Sequence, residues 1–446
     1  MADLALNGVE PRLQTGEPTG TLTALASATS PVISDSSPIV ALRYRNFRLL
    51  WFGLFVSMAG SMMRNAALLW HVSLLATPEN KALALGGVGL VRAIPIVVCS
   101  LVAGVVADAS DRRRLLLATN GTMLFVSSAL AFVALANVRE LWLIYVLAAL
   151  SAAVGTFDNP ARNSFFPSLV PREYLPNAIS LNSLVFQASS VVGPMIAGLL
   201  IANLGVGWVY VFDAGSFVFL IGSLLAMRDV PPAPAEGRAK LTFAAAREGI
   251  AFVFGKPLIR SSMLMDFFAT FFASATALLP IFAQDILHVG AHGYGVLSSA
   301  AAAGAVMTSL VMVRVLDHIQ KRGRVLIIAA VSYGLATLAF GFSREFWLSY
   351  ACLFLAGSAD MVSTVLRNVI RQLATPDALR GRMTSVNMVF FMGGPQLGEL
   401  EAGLVAQAFG PVTSVVSGGL ACVLAVLLLA WTTPALASYE KERAPP

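Results

Sequence analysis

Charged side chains stand inside long apolar runs of this 446-residue chain. Arg64 and Asp360 lie near the middle of their runs, and Asp266 lies about 12 Å from one end at roughly 1.5 Å per residue. An ionised side chain at the centre of a bilayer costs about 2.5–3.5 kcal/mol, so each needs a partner, a water-filled cavity or neutralisation. Burial favours the neutral carboxyl group, so Asp266 and Asp360 are candidate proton carriers, and Arg64 is a candidate counter-ion or contact for an anion. Either acid has an alternative role in a structural ion pair, for example with Arg367 or Arg371, which lie on the same run as Asp360.

The composition is typical of a membrane protein. The chain is 57% hydrophobic and 12% charged, with a mean hydropathy of +0.76, and an average soluble domain is only about 45–50% apolar. The net charge of +6 does not indicate nucleic-acid binding, because the basic residues form short clusters between apolar segments. The three cysteines lie in apolar runs without metal-ligand spacing, so we predict no metal site and no cofactor.

Twelve apolar runs are long enough to cross a bilayer, and they predict an all-α membrane protein. Their predicted extents are 47–75, 82–107, 114–136, 141–164, 177–203, 207–227, 258–284, 293–316, 325–342, 346–374, 380–409 and 411–433.

The distribution of arginine and lysine predicts the orientation of these spans, since loops on the cytoplasmic side carry the excess. Basic residues cluster on the side that holds both termini, which predicts cytoplasmic termini. The tail over 1–42 has no signal-peptide pattern, and we expect it to be disordered and uncleaved. A proline-rich linker at 229–257 divides the chain, which predicts helix bundles over 43–228 and 258–434 and a cytoplasmic tail over 435–446.

A constant offset of 205 relates the two halves, which indicates parallel repeats with equivalent elements on the same side of the membrane. The related pairs are Arg162 and Arg367, Asn163 and Asn368, Pro171 and Pro376, Asn182 and Asn387, Gly193 and Gly398, Gly198 and Gly403, and Gly205 and Gly410.

Two polar loops have matching chemistry. "GVVADASDRRR" joins runs two and three, and "VRVLDHIQKRGR" joins runs eight and nine; in each, an aspartate precedes a basic pair. Such groups can form ion pairs between helices, and breaking the pairs would let two bundles separate. The predicted gate residues are Gly104, Asp108, Arg112, Arg113, Asp317, Lys321 and Arg322, with Arg162 and Arg367 at the ends of runs four and ten.

The first loop, the twelve runs and the linker together resemble the major facilitator superfamily. "NFRLLWFGLFVSMAGSM" and "DNPARNSFFPSLVPREYLPNAISLNS" are similar to a bacterial subgroup that includes the enterobactin exporter and multidrug and macrolide efflux proteins. The resemblance implies twelve transmembrane helices in two pseudo-symmetric six-helix bundles. It also implies proton-driven export of a bulky organic molecule across the bacterial inner membrane by alternating access.

The resemblance also suggests which residues form the functional site. "GPMIAG", with Gly193, Pro194 and Gly198, resembles an antiporter motif, although generic glycine packing explains the same residues. In the superfamily, spans one, four, seven and ten line a central cavity. This implies cavity positions for Arg64, Asn65, Asp158, Asn159, Asp266 and Asp360.

Other functions are less compatible with the sequence. An ATP-driven transporter needs a phosphate loop of the form GxxxxGK[ST], which the sequence lacks, and the four histidines are too scattered to form a catalytic cluster. We therefore expect no enzymatic activity and no catalytic residues. Arg92 and Asp213 are more typical of interhelical hydrogen-bonding groups. The alternative is a major facilitator importer of a small metabolite; for either function we expect a monomer with protons, a small-molecule substrate and the bilayer as partners.

Overall fold

The structure is a computed structural model that describes residues 39–228 and 250–440. The helices below belong to one compact unit that begins at Ala41. Most of the predicted disordered tail and most of the predicted linker lie outside the described residues. The end of the tail is ordered, contrary to the prediction, because Val40–Arg43 forms a 3-10 helix with Val40 and Ala41 buried. Of Gly104 and Asp108, two predicted gate residues, the structure describes only the helical backbone.

Twelve long helices account for most of the described chain, and we number them in chain order. They are α1 Arg45–Leu75, α2 Lys81–Ala109, α3 Arg112–Leu135, α4 Leu141–Phe165, α5 Leu175–Leu204, α6 Val206–Leu225, α7 beginning as Pro257–Phe272, α8 Gly290–Val315, α9 Arg322–Phe342, α10 Phe346–Ala374, α11 Asp377–Phe409 and α12 Pro411–Thr432, followed by the short α13 Pro434–Ala437.

Eleven helices in the described part of the chain are long and apolar enough to span a membrane, and α11 is the long helix outside that set. At 33 residues α11 is long enough to span, but it carries polar and charged residues throughout. The helix ends agree with the predicted runs to within a few residues, because each run ends at polar or helix-breaking residues.

α7 departs from a regular helix in a way that the apolar pattern did not predict. After Phe272 the chain forms a 3-10 turn at Ala275–Leu278, a single α-helical turn at Leu279–Ile281 and a π segment at Phe282–Ile286. Pro280 lies in this segment and has no backbone N–H to continue a regular hydrogen-bond ladder.

The packing of the helices repeats between the halves. In the first half, α1 packs on α5 and α6, α3 packs on α6 and α4, and α2 packs on α4. Each of these contacts has its counterpart six helices later, among α7 to α12. The halves contact each other mainly through two further pairs, α2 with α11 and α5 with α8. This arrangement is the two-bundle organisation that the internal repeat predicted.

Two ends of this helix assembly must be distinguished. We call the end where α6 stops and α7 begins the linker end, and the end with the short connections α1–α2, α5–α6 and α11–α12 the opposite end. Gly205 and Gly410, a predicted repeat pair, make one-residue turns at the opposite end with φ of 91° and 90°. Glycine is the residue that adopts this backbone conformation without strain, so the repeat extends to the turns.

Candidate functional site

A cavity of about 370 Å³ lies mainly within the first half of the molecule. All four residues predicted from spans one and four line it, Arg64 and Asn65 on α1 and Asp158 and Asn159 on α4. α11 supplies Met392 and Gln396, the two lining residues from the second half. Asp266 and Asp360 do not line this cavity, so the structure separates the predicted site into two groups.

Arg64 is held by an ion pair on the side of α1 that faces α3 and α6. Its Nη1 lies 3.5 Å from the Oδ2 of Asp213 on α6, and the Ser127 hydroxyl donates a 2.5 Å hydrogen bond to the same carboxylate oxygen. The guanidinium carbon also lies 5.8 Å from the centre of the Phe217 ring. The predicted interhelical role of Asp213 is confirmed, and Arg64 reaches the cavity from a fixed position.

Asp158 anchors a second polar group nearer the linker end. Its Oδ1 accepts hydrogen bonds from Thr119 at 2.9 Å and Asn120 at 3.1 Å, both on α3. Arg162, one turn further along α4, lies 3.6 Å from the other oxygen and donates to Asn159 at 2.6 Å. The cavity therefore presents acidic, basic and amide groups together.

The second half contains a buried charge cluster formed by α7 and α10. Arg367 lies 2.9 Å from Asp266 and 3.4 Å from Asp360, and Arg371 lies 3.6 Å from the second oxygen of Asp266. Arg367 and Asp266 are 1% and 3% exposed, whereas the side chain of Asp360 is 40% exposed. Two positive and two negative charges therefore neutralise each other, with one carboxylate accessible.

The predicted gate arginines bind within their own halves in this structure. Arg112 donates to the carbonyl oxygen of Ser164 at 2.8 Å, which satisfies the end of α4. Arg113 donates to carbonyl oxygens at the end of α6, including that of Leu224 at 3.1 Å. The hydrogen-bond and ion-pair partners that the described chain gives Arg162 and Arg367 also lie in the same half as each arginine. A contact of these arginines with the opposing bundle stays a prediction for another conformation.

The counterpart loop in the second half is compact. Asp317 lies in the 3-10 turn Leu316–His318 that follows α8, and Lys321 directly precedes α9. Arg322 is buried at the start of α9, where Gly323 donates to the carbonyl oxygen of Tyr439 at 2.9 Å.

The antiporter-like motif forms two close helix crossings. A Cβ atom on Gly193 would lie 2.5 Å from the Cβ of Met62 on α1, and a Cβ on Gly198 would lie 2.6 Å from the Cα of Gly295 on α8. Their repeat partners do the same in the second half: Gly398 packs against α7, and Gly403 packs against Gly86 of α2. Pro194 lies inside α5 between these crossings.

Hydrogen bonds between the halves concentrate at the opposite end. Lys81 lies 2.9 Å from Asp285 and donates to Gln284 at 2.7 Å, and Gln407 donates to the carbonyl oxygen of Glu79 at 2.6 Å. Ser309 donates to Gln187 at 3.3 Å, in an inter-half hydrogen bond nearer the linker end. The opposite end is therefore closed.

The sequence named Arg367 and Arg371 as alternative ion-pair partners of Asp266, but sequence reasoning missed the pairing of Arg64 with Asp213 and the closure between Lys81 and Asp285. Asp213 is the sole acid in the sixth apolar run and Arg64 is the sole arginine in the interior of the first. That scarcity was a signal from which their pairing could have been found.

Comparisons with known proteins agree with this architecture. Residues 36–445 match the family described as transmembrane secretion effector, in the major facilitator superfamily. The chain is 29% identical to the enterobactin exporter EntS of Citrobacter koseri, covering 81% of this chain and 82% of that protein. It is 30% identical to EntS of Shigella boydii serotype 18, covering 74% and 78%.

A solved structure of the nucleoside transporter NupG superposes with a TM-score of 0.69 over 88% of this chain and 99% of that one, at 14% identity. At this identity the likeness concerns the fold. The chain therefore belongs to the transmembrane secretion effector family of the major facilitator superfamily, and it is a multi-pass membrane transporter rather than an enzyme.

Proposed function

We propose that the protein is a proton-coupled exporter of a bulky organic molecule, with a siderophore as the favoured cargo and a drug or macrolide as the alternatives. The observation that carries the proposal is a polar cavity in a molecule whose two halves are joined at the opposite end. The cavity volume of about 370 Å³ is within the usual range for small-molecule sites, about 300–1,000 Å³. The names of the EntS relatives support a siderophore.

The state that this structure represents in the transport cycle depends on which end faces the cytoplasm. Arg45 and Arg48 on α1 and Arg112 to Arg114 on α3 lie at the linker end, and the excess of basic residues is typical of cytoplasmic loops. We place the linker end and both termini in the cytoplasm of a bacterium and the helices in its inner membrane. The structure then corresponds to the inward-facing state, which takes up cargo for export.

The chemistry of the cavity fits a large polar aromatic or heterocyclic cargo. Arg64 and Arg92 offer guanidinium groups, and Asn65 and Asn159 offer amides. Phe217 and neighbouring methionines provide apolar surface on the same walls. A few fixed polar groups on an apolar wall orient a ligand without binding it too tightly to be released.

Proton coupling is assigned to the cluster of α7 and α10. Protonation of Asp360, the accessible carboxylate, would remove one of the two acids that Arg367 contacts. Protonation of Asp266 would remove the acid that Arg367 shares with Arg371. In either case the net charge of the buried cluster rises by one, which destabilises the closed packing around it and favours rearrangement.

The test uses energised inverted membrane vesicles, whose lumen is acidic and corresponds to the former cell exterior. A catecholate siderophore, a macrolide and a cationic dye are added in turn, and a fluorescent pH probe follows loss of lumenal protons. We expect one compound class to release protons from vesicles carrying the wild-type protein, and no release with the Asp266→Asn variant. The exposed-loop variant Glu140→Gln is the control and should respond like the wild type.

Two results would contradict the proposal. Wild-type rates in the Asp266→Asn variant would remove Asp266 from the coupling mechanism. Accumulation of a metabolite in the opposite direction, with no proton release across the panel, would favour the importer alternative.

A further inference from the structure

Glu399 on α11 is a buried acid that the coupling cluster does not use. The residue is 8% exposed, and its Oε2 atom has no hydrogen-bond partner in the described chain. This contrasts with Asp266, whose two oxygens each face an arginine. A buried carboxylate with an unsatisfied oxygen is costly unless it binds a ligand at some stage, and a proton is the smallest ligand that meets this need.

Glu399 lies at the contact between the two halves. A Cβ atom on Gly89 of α2 would lie 2.6 Å from the Cβ of Glu399 and 3.2 Å from its Oε2, so the carboxylate is pressed against α2. Gln396, one turn before Glu399, lines the cavity. One turn after it, Gly403 makes the close crossing with Gly86. Glu399 therefore lies between the cavity and the close crossing of Gly86 with Gly403.

The charged and titratable groups around Glu399 come from three helices. Arg92 on α2 is its main favourable electrostatic partner. Tyr294 on α8 also interacts with the Glu399 charge, and the charge of Arg64 on α1 acts on Arg92. Arg92 lines the cavity and donates a 3.4 Å hydrogen bond to Asn65. A change in the charge of Glu399 is therefore felt by an arginine on the cavity wall.

We propose that Glu399 is a second proton-binding site, which takes a proton when α2 and α11 separate and releases it toward the cavity when they close. The inference rests on the proposed proton-coupled export. When the opposite end opens, the Gly86–Gly403 crossing must part, and the carboxylate next to it becomes accessible from that side. When the crossing forms again, the neutral acid enters the contact, where burial alone would keep the proton bound. Attraction by Arg92 stabilises the carboxylate against that effect, so the proton can leave toward the lower proton concentration on the cavity side. The O–H bond of the Glu399 carboxyl group breaks and the proton passes to water in the cavity.

Glu401 offers a matched control on the same helix, since residues two apart project to different sides. Glu401 is less buried than Glu399, and it is not part of the proposed proton-binding site. Glu399→Gln and Glu401→Gln proteins are each measured in two assays. One is cargo-driven proton release from energised inverted vesicles. The other is exchange of labelled for unlabelled cargo without a pH gradient, which needs the cavity and helix movement but no net proton transfer.

The expected result is loss of proton release in Glu399→Gln with cargo exchange retained, and wild-type behaviour of Glu401→Gln in both assays. Undiminished proton release in Glu399→Gln would overturn the inference while leaving the proposed function standing. Absence of any response in the wild type would instead be a failure of the proposed function. If Glu399→Gln loses both activities, Glu399→Asp decides: return of proton release supports a proton site, and its continued absence overturns it.

Discussion

Asp266 and Asp360 both contact Arg367, but they differ in which arginines would lose an ion-pair partner if the acid were removed. Asp266 is the sole carboxylate within ion-pair distance of Arg371 in the described structure, and it also makes the shorter contact with Arg367. Asp360 contacts Arg367 alone, at 3.4 Å. Arg367 has additional support on its own helix, from the hydroxyls of Ser363 and Thr364, both at 2.8 Å.

We predict that Asp266→Asn destabilises the protein more than Asp360→Asn does. Removing one partner of a buried ion pair typically costs about 3–5 kcal/mol, because the remaining charge is left uncompensated. Loss of Asp360 should cost about 1 kcal/mol or less, since its side chain is 40% exposed and its one ion-pair contact is longer, at 3.4 Å. Thermal unfolding of the purified proteins in detergent compares the two, and an equal decrease in midpoint temperature would contradict the shared-arginine description.

The same comparison shows what the sequence could predict about individual residues. The sequence identified every member of this cluster and anticipated pairing of either acid with Arg367 or Arg371, which lie about two and three turns after Asp360 on the same helix. It did not predict that Asp266 binds both arginines, because that pairing depends on the rotation of α7 against α10. Glu399 lies within the eleventh apolar run, but the sequence did not show that it faces α2.

Helix crossings between the halves repeat as a unit. Gly198 against Gly295 and Gly403 against Gly86 place backbone against backbone at equivalent positions of α5 with α8 and α2 with α11. The offset of 205 predicted the pairing of Gly198 with Gly403. The same offset also relates residues outside the seven pairs, since "RELW" at 139–142 matches "REFW" at 344–347. These two segments lie at the starts of α4 and α10. A repeat preserved in turns, helix starts and crossings makes the closed state nearly symmetric.

We predict that Gly403→Ala shifts the protein away from closure of the opposite end. The added Cβ would lie 2.6 Å from the Cα of Gly86, where backbone atoms cannot move aside easily. Spin labels at Arg139 and Arg344, on equivalent exposed loops, report the distance across this end in a background free of native cysteines. The label distances should lengthen or broaden in Gly403→Ala.

Gly215→Ala is the control for this measurement, because a Cβ there meets nothing within 4 Å. Its label distances should equal those of the parent protein. If Gly403→Ala also gave the distances of the parent protein, the crossing would accommodate the added methyl group, and the prediction would be wrong.

The helices themselves were predictable because long apolar runs end at charges, prolines and glycines. The irregular second part of α7 was not, because the Ala275–Ile286 region is as apolar as a regular span. There the competing effect is Pro280, whose missing N–H interrupts the helix without interrupting the hydrophobic pattern.

At the scale of the whole molecule, a nearly symmetric framework carries an asymmetric site. Apart from two residues of α11, the cavity walls belong to the first half. The densest group of buried acids and arginines belongs to the second half, on α7 and α10. The superfamily resemblance implied a central cavity lined by spans one, four, seven and ten, and the sequence had no means to show this division. We infer that cargo selection belongs mainly to the first half and ion coupling mainly to the second.

The division of roles can be tested with a repeat pair of phenylalanines. Phe186 on α5 lines the cavity, and Phe391, 205 residues later on α11, does not belong to the walls of this cavity and is 52% exposed. We predict that Phe186→Ala changes the ratio of transport rates between two cargoes of different size by roughly fivefold, equivalent to about 1 kcal/mol of lost apolar contact. Phe391→Ala should leave that ratio unchanged. Equal effects of the two substitutions would mean that both halves select the cargo, and the asymmetry of the cavity would then be a property of this one conformation.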